Sequence, residues 1–120
     1  MPTIESVKDS NREGKRFVAI LSDGKKIHFG LRGGRNYLDH SDIKLRSSYI
    51  ARHYGSAAEK ALIDSLTPSP ALFSMYLLWS FANPEIKTLD GNIKLLNNIL
   101  ESKNTPVRLS NYLAQKQNTN

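Results

Sequence analysis

Cysteine is absent from this 120-residue chain, which excludes disulfides, thiolate metal sites and a cysteine nucleophile and is compatible with a reducing compartment. Long apolar runs are absent too. The most apolar window, Ala71 to Phe81, covers about half of the ~20 residues needed to cross a bilayer, and Pro70 and Pro84 bracket it. It reads as a buried helix, and no membrane span is expected. The first ten residues lack the apolar stretch of a secretory signal, so the chain is expected to stay inside the cell that makes it. Acidic residues are scarce: 11 Asp and Glu stand against 17 Lys and Arg, a formal charge of +6 at pH 7. That sign suits nucleic acid or an acidic protein surface and says nothing about fold. No internal repeat is visible.

What is present is concentrated. Between Lys15 and Tyr54 lie nine Lys/Arg and three Asp, so this stretch alone carries the whole positive excess. A hydrophobic content of 39% supports one modest core. We expect a single globular domain over residues 15–114, preceded by a loosely held arm over 1–14, in which only Ile4 and Val7 are apolar anchors, and followed by a polar tail over 115–120.

Asp23-Gly24 predicts a two-residue type I′ turn flanked by Ser22 and Lys25, which closes a β-hairpin from Arg16 to Gly30. In that register Ile20 faces Ile27 and Val18 faces Phe29, so these four make the buried face, leaving Lys26 and His28 on the other. Gly33-Gly34 reads as a flexible turn with no Lys-Ser/Thr behind it, although Arg32 and Arg35 beside it are suited to anions.

Helices fill the remainder. Asp39 or Ser41 is expected to cap a helix that ends before Gly55, with Asp42 in its first turn and Arg52 and His53 in its last. Ser56 and Glu59 form a capping-box pattern ahead of a helix from Ala57 to about Ser65. Ser69 as cap and Pro70 at the first helical position start a third helix through Phe81, apolar nearly all round, with Trp79 in the core. Ile86, Leu89, Ile93, Leu96 and Leu100 recur at helical steps, with Gly91 weakening the middle of that helix. Thr105-Pro106 signals one more short helix. The fold class is therefore α+β, an N-terminal β-hairpin packed on a small bundle of four to five helices.

Asp42, Arg46, Tyr49 and His53 share one stripe of the first helix, with Leu45 and Arg52 beside it, and Ile43, Ile50 and Tyr54 form the neighbouring apolar stripe. Lys25, Lys26, His28, Arg32, Arg35, Arg46, Tyr49, Arg52 and His53 are the candidate partner- or phosphate-binding residues: Arg offers a planar fork and Tyr a stacking face. The same residues also have structural uses, such as an Asp42–Arg46 ion pair four residues apart. Asp39, His40, Asp42 and His53 are the first residues to inspect for metal-assisted nuclease chemistry, yet they show no ligand spacing, and no metal or cofactor is expected.

The constellation of Gly24 to Gly30, Tyr37, Asp39-His40, the Asp42 to His53 spacing, Trp79 and Asn83-Pro84 resembles a family of small basic proteins from nucleocytoplasmic large DNA viruses, of mimivirus, chlorovirus and iridovirus kind. The resemblance runs from about Arg16 to Leu96 and departs at Ser69 to Phe73 and in the Gly33-Gly34-Arg35 loop. It implies a viral origin, a place in the virion, and host cytoplasm during assembly. The leading expectation is a non-enzymatic virion structural protein, a minor capsid or core component. Its basic hairpin and helix face would dock an acidic partner, either another virion protein or a copy of itself. A sequence-nonspecific DNA-binding protein is the alternative, and a small metal-dependent nuclease a distant third.

Overall fold

The computed structural model describes residues 2–102. The helix expected after Thr105-Pro106 and the polar tail over 115–120 lie outside the described residues. The architecture is α+β: a three-stranded antiparallel sheet at the N-terminal end, followed by five α-helices.

The sheet has one strand more than the expected hairpin. β1 (Ile4–Asp9) pairs with β2 (Lys15–Leu21), which pairs with β3 (Lys26–Leu31), in the order β1-β2-β3. Ile4–Asp9, expected to belong to a loosely held arm over 1–14, is thus an edge strand of the sheet. Ile4 and Val7 sit three apart, the wrong interval for one face of a strand. A bulge between Ile4 and Ser6 absorbs the extra residue, so Ile4 is buried and Val7 packs on the core as well. Asn97 clamps the outer edge of β1, its side-chain amide accepting from the Ile4 N–H at 2.8 Å and donating to the Ile4 carbonyl at 2.9 Å.

The hairpin register differs by one residue from the expected one. Phe17 pairs with Phe29, Ala19 with Ile27 and Ile20 with Lys26. The loop is Ser22-Asp23-Gly24, three residues long: Gly24 N–H donates to Leu21 O, Leu21 N–H to Lys25 O, and Gly24 takes φ +88°. That is a turn closed by a left-handed glycine, favoured here because the Asp23 carboxylate accepts from the Lys25 N–H at 3.0 Å. A slip of one residue exchanges the faces. Phe17, Ala19, Leu21, Ile27 and Phe29 look into the core, while Val18 and Ile20 share the outer face with Lys26 and His28, where Val18 is nonetheless buried as expected.

Each helix start has a local cause. Asn36 and Asp39 form a capping box around α1 (Tyr37–His40). Asp42, expected inside the first turn, is itself the cap of α2 (Ile43–Tyr54), accepting from the amides of Lys44 and Leu45. Ser56 caps α3 (Ala57–Asp64), Ser69 caps α4 (Pro70–Phe73) with proline in the first turn, and Thr88 caps α5 (Leu89–Glu101). The capping box at Ser56 is half made, because Glu59 gives its carboxylate to His53.

The helix expected over 70–81 widens into a π-helical turn at Ser74–Leu78 and stops there. Ser80, at φ +49°, reverses the chain, and its hydroxyl donates to Ile86 O at 2.5 Å. The π turn, fully packed through Met75, Leu77 and Leu78, forms the middle of the core against Phe29, Ile63 and Leu96. Trp79 is buried, 8% exposed.

Gly91 does not interrupt α5. A Cβ there would stand 2.8 Å from both Ile86 Cγ2 and the capping Thr88 Oγ1. Gly91→Ala should therefore lose about 1–3 kcal/mol to overpacking, against about 1 kcal/mol gained in helix propensity. The expected net effect is a lower urea midpoint, and an unchanged or raised midpoint would show that the cap yields.

Candidate functional site

The first turn of α4, the π turn, α2 and the far end of the β2–β3 ribbon enclose a cleft of about 810 Å³. Met75, Leu78, Trp79 and Tyr49 make an apolar and aromatic base, and Leu31 and Leu45 line the same cleft while 72% and 51% exposed. Single exposed aliphatic side chains are ordinary, but two that line the same apolar cleft form a patch of the kind that marks an interaction site. Arg35 and Arg52 stand at the margin, and neither forms an ion pair among the described residues.

A row of rings gives the base its shape. Tyr49 stacks on Trp79 at 4.1 Å with 8° between planes, His53 follows Tyr49 at 4.1 Å, and His40 approaches Trp79 at 5.5 Å. The i,i+4 spacing on α2 places Tyr49 over His53. Burial raises the Tyr49 phenol above its ordinary pKa, with the Glu59 charge adding to the effect. His53 Nδ1 meets a Glu59 carboxylate oxygen at 2.5 Å. His40 Nδ1 accepts from the Asp42 N–H at 2.9 Å, so a neutral His40 carries its proton on Nε2.

The structure does not gather all the expected site residues. Arg35, Arg52, Tyr49 and His53 line the cleft, with the Arg52 guanidinium 5.8 Å from the Tyr49 ring. Lys25 and Lys26 lie at the turn end of the ribbon, five ladder steps from Leu31, roughly 17 Å at about 3.4 Å per residue. His28 is on the outer sheet face, bonded through Nδ1 to Ser10 Oγ at 2.7 Å. Arg32 straps the β1–β2 turn, donating to Ser10 O at 2.6 Å and Lys15 O at 3.2 Å. Arg46 does not pair with Asp42. Its guanidinium donates to the carbonyls of Trp79 at 3.0 Å, Ser80 at 3.0 Å and Phe81 at 3.4 Å.

The stripe that looked available on α2 is thus its inward side. Arg46 and Tyr49 turn to the π turn, whereas Ile43, expected on the apolar stripe, is half-exposed. Asp39, His40, Asp42 and His53 are engaged separately: Asp39 by Arg16, His40 by the Asp42 amide, Asp42 as a helix cap and His53 by Glu59. Among the described residues no group of three metal-capable side chains comes together. Leu31, Leu45 and Trp79 were not foreseen as lining; the only signal in the sequence was Leu45 beside the polar stripe.

Arg16 and Asp39 form a two-pronged bond at 2.7 and 3.1 Å that ties the ribbon to α1. The hydrogen bond from Arg16 holds the Asp39 carboxyl below the usual carboxylate range, against the opposing effect of burial. The stabilisation is present above an unfolded pKa of about 3.9 and is lost as pH falls through the lower native value. Asp39→Asn should cost about 0.5–1 kcal/mol at neutral pH, the range of a partly exposed pair. The difference should vanish at the acid end of a series of urea denaturations; a gap independent of pH would assign the loss to something else.

Residues 5–53 match a family model described as a family of unknown function (DUF5754). The chain is similar to that family from β1 to the last turn of α2, a stretch that holds one wall of the cleft and all of the sheet but Ile4. No curated protein and no solved structure matches. Among the described residues no helix is long and apolar enough to cross a membrane.

Proposed function

We propose that the protein is a non-enzymatic docking module whose cleft receives an acidic protein segment through an apolar anchor. One observation carries this reading: Leu31 and Leu45 remain exposed in a cleft with an aromatic base that Arg35 and Arg52 also line. Burying the leucines supplies affinity, and the two guanidinium groups favour a partner rich in Asp and Glu and speed its arrival. The carboxylates that line the cleft do not oppose this charge freely, because Asp42 caps α2 and Glu59 is held by His53.

Trp79 is the single tryptophan of the chain and lines the cleft, so its fluorescence reports occupancy. Titration with an acidic peptide carrying a leucine or phenylalanine anchor should change the emission and saturate. A peptide with the same apolar residues and Lys in place of Asp and Glu should bind at least about tenfold more weakly. Equal affinity for the two, or an emission unmoved by either, would remove the reading.

The proposed setting is a virus particle, the acidic segment belonging to another structural component or to a second copy of the chain. The support is the resemblance carried by the Asp42 to His53 spacing and Trp79. Mass spectrometry of purified particles should find the protein. Abundance in infected cells together with absence from particles would discard the setting and leave the cleft chemistry to stand on the peptide titration.

A further inference from the structure

A second charged surface lies away from the cleft, and we propose that the outer face of the sheet binds the phosphodiester backbone of nucleic acid without reading bases. It stands independently of the cleft. The register aligns Lys8 with Val18 and His28 in one cross-strand row, and Ser6 with Ile20 and Lys26 in the next. Both rows alternate with the rows that face the core, so their side chains share the outer face. Neighbouring strands are about 4.8 Å apart and alternate residues about 6.8 Å apart along a strand, which sets Lys8 and Lys26 within one phosphate-bearing footprint.

Arg12 extends this face from the β1–β2 turn, and Lys15, at the start of β2 on the cleft side, adds its charge from the edge. His28 reports the convergence: its pKa lies below the ordinary value, first through partial withdrawal from water and then through the charges of Arg12, Lys26 and Lys15. Lys8, Arg12 and Lys26 are exposed, and none of the four cations forms an ion pair among the described residues. Glu13 in the same turn offsets one of them. Asp9 falls in the Phe17 row, with the core-facing residues, and acts on Arg16.

The strands' aromatic residues decide the class of recognition. Phe17 and Phe29 both look into the core, their rings 5.7 Å apart. Among the described residues the one ring on the outer rows is the His28 imidazole, which is held by Ser10 Oγ at 2.7 Å, and lysines on a flat sheet contact phosphate oxygens as point charges. Binding of this kind is insensitive to sequence and steeply dependent on salt.

The test is fluorescence anisotropy with the full chain and two short DNA duplexes of unrelated sequence. Both should bind with affinities within about twofold, and three to four phosphate contacts should weaken binding about 40- to 150-fold between about 50 and 200 mM salt. The triple substitution Lys8→Gln, Arg12→Gln and Lys26→Gln should weaken binding at low salt by at least about tenfold and reduce the log–log salt slope by about 2–3. Lys8→Gln and Lys26→Gln singly should show smaller losses in the same direction, which guards against a folding defect in the triple variant. Arg35→Gln with Arg52→Gln should leave duplex binding unchanged. The proposal is overturned by wild-type affinity in the triple and single variants, by no binding of the unmodified chain at low salt, or by phosphatidylserine vesicles outcompeting the duplex.

Discussion

Arg46→Met is expected to destabilise the fold by about 2–4 kcal/mol, the largest effect we anticipate for any polar substitution. Methionine retains much of the aliphatic stem and its packing, so the loss isolates the guanidinium. That group closes the corner after the π turn, where the chain reverses at Ser80 and the Ser80 carbonyl also accepts from the Asn83 N–H at 3.1 Å. Its donors reach the oxygens of Trp79, Ser80 and Phe81 in succession. Burial alone pulls its pKa down, with the neighbouring Tyr37 acting the other way, and the charge is held by carbonyl dipoles where no carboxylate partners it. A hydrogen bond from a charged donor is worth about 1.5–3 kcal/mol, and partial exposure of the side chain reduces the sum of three.

Arg46→Lys should recover only part of the stability, because an ammonium cannot span three oxygens with a planar fork. Urea denaturation followed by circular dichroism measures both. A loss below about 0.5 kcal/mol in Arg46→Met, the scatter of ordinary surface substitutions, would mean that the reversal at Ser80 holds without the arginine. The Ser80 hydroxyl and Asn92, whose amide donates to Leu77 O at 3.0 Å and Ser80 Oγ at 2.9 Å, would then carry that corner.

Leu31→Ser combined with Leu45→Ser should weaken capture of an acidic anchor peptide by about 30- to 500-fold while leaving the fold nearly untouched. Fully burying a leucine is worth about 1.5–3 kcal/mol. Only the exposed fractions, 72% and 51%, remain to be covered by a partner, so the two together supply about 2–3.7 kcal/mol. The same exposure predicts a stability change within about 0.5 kcal/mol for each. Tryptophan fluorescence titration gives the affinity and urea unfolding the stability. Should stability fall as far as affinity, the leucines belong to the fold and the docking reading loses its support.

The sequence carried most of the element starts because those are local. Ser69 followed by Pro70, Ser56 before Ala57, and a glycine in the hairpin turn all act within a few residues, and each stands where expected. β1 was hidden because its two apolar residues stand three apart, an interval that suits a helix and not one face of a strand, until the bulge restores them to one face. The hairpin slipped by one residue because Asp23-Gly24 fits both a two-residue and a three-residue loop. Choosing between them takes the Asp23 side-chain bond and the core that awaits Phe17 and Leu21.

Electrostatic roles were the least legible. Arg32, Arg46, Arg35 and Arg52 look alike in a sequence, yet the first two bond backbone carbonyls and the last two face the cleft. Lys26 and His28 were expected on one surface with Arg35 and Arg52, and they lie instead on the outer sheet face with Lys8 and Arg12. By itself the sequence determined the α+β class, the caps of α3 and α4, the basic character and the burial of Trp79, since these follow from propensity, short-range bonds and total apolar content. Tertiary structure alone decided which face of each strand is inside and which cations stay free, because both depend on partners distant in the chain: a guanidinium is spent or available according to whether unpaired carbonyls come within its reach.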